Sequence, residues 1–190
     1  MALIDVGAGA TNRASYYGGS FTRVNVSNPA NATGTLTSIQ IYVDIELAGT
    51  IKVATFSPDG TKLTPRDVVT LGTVAVGLQT VTEDASSDPI ALSVESGDLI
   101  GMYWDSTGDR VSRDDTGGDG VYVKSGDQTE AGEQTYTLLP GNAISLYATG
   151  ETAPSTSIKL VMGVPIANVK TINGVPIADV KSFLGVSNVS

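Results

Sequence analysis

The chain has 190 residues, 20 of them acidic and 11 basic, for a formal charge of −9, and it contains neither histidine nor cysteine. Those two absences exclude Ser-His-Asp and Cys-His nucleophile systems, imidazole general bases, zinc sites built on imidazole or thiolate, and disulfides. The acidic balance repels phosphate backbones, so nucleic acid is not an expected partner, and no segment approaches the ~20 apolar residues that span a bilayer.

Hydrophobic residues at 41% and charged residues at 16% describe a globular chain. Met1-Ala2-Leu3-Ile4 shows no basic region followed by an apolar run, so no signal peptide or membrane partner is expected. Gly7-Ala8-Gly9-Ala10 leads into no helical pattern and is not a dinucleotide fingerprint. Tyr16 and Tyr17 stand in a Gly/Ser setting. They read either as ligand-facing aromatics, able to stack on a sugar, or as core-filling rings.

From about residue 20 to 149 the hydrophobic period is two. Ile39, Ile41, Val43, Ile45 and Leu47 alternate with polar neighbours, as a half-buried antiparallel strand does. Ile51, Val53 and Thr55 follow Ala48-Gly49-Thr50, and the two runs are expected to form a hairpin. Further alternating runs are Val74-Val76-Leu78, Ile90-Leu92-Val94, Val121-Val123 and Ile144-Leu146-Ala148. Leu99 to Trp104 is apolar on both faces, which predicts a central strand with Trp104 in the core. Turn signals such as Ser57-Pro58-Asp59-Gly60 and Ser96-Gly97-Asp98 separate the runs. About nine to eleven strands at such spacing, with no helical period, predict an all-β, jelly-roll-like antiparallel β-sandwich.

One acidic cluster lies between these strands: Asp105, Asp109, Asp114, Asp115 and Asp119. Oxygen ligands in a Gly/Ser-rich loop are what calcium takes, and calcium is the only cofactor these residues suit. The other reading is a solvated turn region, with Arg110 and Arg113 pairing some of the carboxylates. No EF-hand spacing is present. With 20 acidic residues, carboxylate pairs at glycosidase spacing arise by chance, and no catalytic residue is assigned.

After Gly150 the composition changes. The reading divides the chain into a sandwich over residues 1–150, a polar linker over 151–157 and a repeat tail over 158–190. Gly163-Val164-Pro165-Ile166-Ala167-Asn168-Val169-Lys170 recurs as Gly174-Val175-Pro176-Ile177-Ala178-Asp179-Val180-Lys181. A third start, Gly185-Val186, breaks off. Gly costs a helix ~1 kcal/mol and Pro ~3, so each unit is expected to be a short extended segment plus a turn. Two and a fraction such units cannot bury their own apolar faces. Ile166, Val169, Ile172, Val175, Ile177, Val180 and Phe183 are therefore expected to form an assembly surface.

Val94-Glu95-Ser96-Gly97-Asp98-Leu99-Ile100-Gly101-Met102-Tyr103-Trp104, Asp115-Thr116-Gly117-Gly118-Asp119-Gly120, Ser125-Gly126-Asp127-Gln128 and Ala143-Ile144-Ser145-Leu146-Tyr147, with the tail repeat Ile172-Asn173-Gly174-Val175-Pro176-Ile177-Ala178-Asp179-Val180-Lys181, resemble structural proteins of tailed bacteriophages and prophages. The resemblance covers about residues 20–149 and 160–186 and carries over no catalytic residues. It implies a non-enzymatic virion protein, of the capsid decoration or head/tail fibre type, assembled in the host cytoplasm. Its implied partners are other virion proteins and copies of itself, with a trimer among the closed forms. The alternative it leaves open is a carbohydrate- or receptor-binding module that meets a host-surface glycan.

Overall fold

The computed structural model describes residues 2–152 and, farther along, the pairs 160–161, 164–165, 171–172, 175–176, 182–183 and 186–187. Ala2–Thr152 forms one compact unit and Ala153–Ser190 belongs to another. The protein is all-β, with no helix among the described residues.

The strands of the first unit are β1 (Leu3–Gly7), β2 (Ser15–Gly18), β3 (Phe21–Asn25), β4 (Gly34–Ile45), β5 (Ile51–Asp59), β6 (Lys62–Leu71), β7 (Gly77–Val81), β8 (Leu92–Val94), β9 (Leu99–Trp104), β10 (Arg110–Asp114), β11 (Val121–Ser125), β12 (Gln134–Thr135), β13 (Thr137–Leu139), β14 (Ala143–Ile144) and β15 (Leu146–Glu151). One sheet runs β1-β15-β4-β10-β14, with β2 on β10 and β7 and β8 on β4. The other runs β12-β6-β5-β9-β3-β11-β13. Every pairing between these strands is antiparallel. The chain passes repeatedly from sheet to sheet, which gives the sandwich its jelly-roll-like character.

The expected hairpin across Ala48-Gly49-Thr50 is not formed. β4 pairs with β15, β10, β7 and β8, whereas β5 pairs with β6 and β9. The segment is a corner between sheets: Leu47 bridges to Val74, Gly49 takes a φ of 101°, and the Thr50 amide donates to Asp105 Oδ1 at 3.3 Å. Alternation marks a strand's inner face but does not name its partner. The turn at Gly60 does close a hairpin, β5–β6, with Asp59 opposite Lys62.

β4 also carries a bulge. Leu36 and Ile39 are both fully buried although three residues apart, because the pairing slips between Thr149 and Gly150 on β15. The extra residue re-phases the strand. Gly150 has no space for a side chain there, since a Cβ would collide with the Thr35 carbonyl.

Between the sheets lies the main core: Ile4, Leu36, Ile39, Ile41, Val43, Ile51, Val53, Ile100, Met102 and Trp104, with others, are buried. Each such large side chain contributes ~1.5–3 kcal/mol on burial. Trp104 is fully buried and satisfies its indole by donating to the Asp109 carbonyl at 3.2 Å. The central position expected for the Leu99 run holds, because β9 sits between β5 and β3. Its second face is covered by a smaller cluster of Val24, Ala54, Phe56, Leu63, Leu99 and Tyr136. Phe56 and Tyr136 meet edge to face, with ring centroids 6.3 Å apart.

In the second unit the repeat becomes visible as three separate two-stranded sheets: β16 (Leu160–Val161) with β17 (Val164–Pro165), β18 (Thr171–Ile172) with β19 (Val175–Pro176), and β20 (Ser182–Phe183) with β21 (Val186–Ser187). Leu160↔Pro165, Thr171↔Pro176 and Ser182↔Ser187 occupy the same register in successive units. The sequence reading of two units and a fragment is corrected to three hairpins. Phasing the repeat on Gly-Val-Pro cuts the third copy short, yet the pairing itself needs only the four residues of its two strands. Ile172, Val175 and Phe183 belong to these strands, while Ile166, Val169, Ile177 and Val180 lie outside the described residues.

Candidate functional site

The acidic residues singled out by sequence are dispersed among separate tasks. Asp105 Oδ1 accepts from the Thr50 amide. Asp109 accepts from Ser106 Oγ at 2.7 Å and from the Ala48 amide at 2.8 Å, holding the corner between the sheets. Asp114 pairs with Arg13 at 2.5 Å and Asp115 with Arg113 at 2.7 Å. Asp119 is tied through its amide, which donates to Ser27 Oγ at 3.4 Å. Among the described residues, no three acidic side chains gather in a way that would hold a metal ion.

Tyr16 and Tyr17 part company. Strand alternation sends neighbouring side chains to opposite faces, so Tyr16 is 46% exposed and Tyr17 only 7%. Tyr16 lies under the Arg110 guanidinium, 3.8 Å from carbon to ring centroid. Tyr17 is not ligand-facing: its ring is within 4.5 Å of both Arg23 and Arg113, and its hydroxyl accepts from Asn142 Nδ2 at 2.7 Å.

The cations reveal a different locus. Arg13, Lys52, Lys62, Arg66 and Arg113 each pair with a carboxylate. Arg23, Arg110 and Lys124 have no such partner among the described residues. In so acidic a chain this is unexpected, and one of the three, Lys124, is among the residues around one groove.

That groove, about 420 Å³, opens where β3, β11 and β13 meet, and is lined by Phe21, Val123, Lys124, Ser125, Thr135, Thr137 and Leu139. Register explains the grouping. Phe21 is opposite Ser125, Arg23 opposite Val123, and Val123 opposite Thr137. At a period of two Phe21, Arg23, Val123, Ser125 and Thr137 share the face that, one strand farther in, carries Met102, while Lys124 alternates to the other face. Phe21 remains 40% exposed. Lys124 Nζ donates to the Thr135 carbonyl at 3.1 Å.

Behind Phe21 lies Arg23, 6% exposed. Its guanidinium carbon is 4.4 Å from the Tyr17 ring centroid, 4.9 Å from Trp104 and 5.3 Å from Phe21. Ring faces are negative, so they partly replace the water this cation has lost. Nη1 reaches the Phe21 carbonyl at 3.3 Å, while Nε has no partner among the described residues. Burial pulls its pKa down to about 10. The site is therefore a groove lined by an aromatic ring and hydroxyls, with a buried cation behind Phe21.

Sequence reasoning did not find Phe21, Arg23 or Lys124. Thr22-Arg23-Val24 reads equally well with either face inward. Compared with family models, curated proteins and solved structures, the chain matches none.

Proposed function

We propose that this is a non-enzymatic virion structural protein of the tailed-phage kind, its sandwich displayed on the particle and its C-terminal repeats serving attachment or oligomerisation. The triplicated hairpin supports this reading most. Three copies in one register, each with strands of two residues, are far below the size at which a two-stranded ribbon is stable alone in water. Apolar residues recur along the tail sequence, so its side chains gain from a neighbour's surface, and extended backbone offers donors and acceptors for strand addition. Closed symmetry would satisfy these groups without runaway association.

Ile166→Asp combined with Ile177→Asp tests the reading. The expected result is loss of the parent's oligomeric mass and of incorporation into particles, with the sandwich melting unchanged. A double variant that assembles and incorporates like the parent makes the tail a passive extension and removes the proposal.

A second reading, a glycan- or receptor-binding module, is favoured by one observation: the open groove carrying an exposed aromatic ring beside hydroxyls.

A further inference from the structure

We propose that the free edge of β7 pairs with β7 of a second copy of this chain, antiparallel about a two-fold axis at Gln79, so that the sheet holding β4 continues from one molecule into the next.

The edge comes first. β7 lies on β4 over Gly77–Val81, with Leu78 opposite Tyr42. No strand lies on its other side, and among the described residues its backbone bonds to no element but β4. An open row of donors and acceptors is a template for another strand, and proteins guard such rows with charges, prolines, bulges or shortness. The other edges of this sandwich are guarded. β6 carries Pro65, Arg66 and Asp67 beyond its short pairing with β12, and β1 carries Asp5 at its middle. β2, β8, β12, β13 and β14 have only two to four residues each. β7 has none of the chemical guards. No charged residue or proline stands between Asp67 and Glu83. Its pairing runs without a register shift, and Val76 and Leu78 are 58% and 54% exposed.

Charge then names the occupant. Each copy carries −9, so two copies repel, and contact costs least where neither brings a charge. Antiparallel pairing keeps it so. With Gln79 at the axis, Leu78 meets Thr80 of the second copy, Val76 meets Thr82, and Glu83 meets Ala75. A parallel pairing would set Glu83 against Glu83. Aliphatic and β-branched residues facing each other in this way favour a sheet. A two-fold contact also closes on itself and leaves neither β7 edge open.

The test is sedimentation equilibrium of the full chain carrying Ile166→Asp and Ile177→Asp, which remove the tail's contribution under the reading above. The expected result is a monomer–dimer equilibrium. Adding Leu78→Glu should weaken it about tenfold or more. Leu3→Glu, at a still more exposed leucine on β1, should leave it unmoved. Both side chains are exposed, so an unchanged melting temperature shows that each variant is folded. The chain has no cysteine, so single-cysteine variants read the register. Gln79→Cys should cross-link two copies on mild oxidation, because directly opposite residues fall within disulfide reach, and Val76→Cys should not. A chain that stays monomeric up to about 1 mM, or a dimer indifferent to Leu78→Glu, overturns the proposal and leaves the tail reading standing. Equal cross-linking at both positions means a parallel contact and overturns the two-fold. Leu78→Glu is read against the same background, so failure of the tail reading alone does not move this result.

Discussion

Two parts of the same interior layer differ in kind. Around Met102 and Val53 the space between the sheets is filled by apolar side chains from both sides. One and two strands farther along, at β3 and β11, the same face carries a guanidinium, hydroxyls and an open groove. Burial stabilises the first part directly. In the second, Arg23 has lost most of its water without gaining a carboxylate. Desolvated, unpaired charge is not what a sequence selected for stability alone would retain. The contrast separates an apolar part of the layer from one that carries a buried, unpaired cation.

The sharpest test of the apolar side is Trp104→Ala. Trp104 is fully buried and fills the centre of the layer, so truncation should cost about 3–5 kcal/mol, from lost burial and the cavity left behind. The urea midpoint would fall accordingly, with an unchanged denaturant slope. A loss below about 1 kcal/mol would mean that the two parts do not differ in the way described.

A smaller effect of opposite sign is expected on the outer face of the same sheet. Tyr136 is buried among Phe56 and Leu63, and its hydroxyl has no partner among the described residues. Tyr136→Phe should therefore stabilise by about 1 kcal/mol, the cost of an unsatisfied buried polar group. Burial first, and the Asp127 charge second, push the phenol well above its ordinary pKa. The native state then holds a proton that the unfolded chain releases above about pH 10, so stability falls as pH climbs past that value. The variant should lose this part of the alkaline decline, which chemical denaturation at pH 8 and pH 11 would show.

How much of this the sequence revealed depended on whether the signal was local. The inner face of β4 was legible because Ile39, Ile41 and Val43 repeat at the strand period, and Leu99 to Trp104 announced its central place by being apolar throughout. Pairing was not legible: β4 and β5 look like a hairpin, yet the corner at Gly49 sends them to different sheets. Tyr17 looked as exposed as Tyr16 because two adjacent rings carry no phase. The repeat's third copy was hidden by the loss of Pro and Ile after Gly185, which its hairpin does not require. The groove was least legible, since Phe21, Ser125 and Thr137 are brought together only by pairings of β11 with β3 and β13.

The smallest stability change is expected at the residue with the most unusual surroundings. Arg23→Met keeps an unbranched chain of similar reach, still able to lie against Tyr17, Phe21 and Trp104, and sulfur makes favourable contacts with aromatic rings. It removes a cation whose dehydration is only partly offset by those rings and by one long hydrogen bond to the Phe21 carbonyl. Replacing a buried charge by a fitting apolar side chain is commonly neutral or stabilising. The variant should therefore lie within about 1 kcal/mol of the parent or above it. A loss of about 3 kcal/mol or more would instead make Arg23 a structural member of the core, and the contrast between the two parts of the layer would fail at the residue on which it most depends.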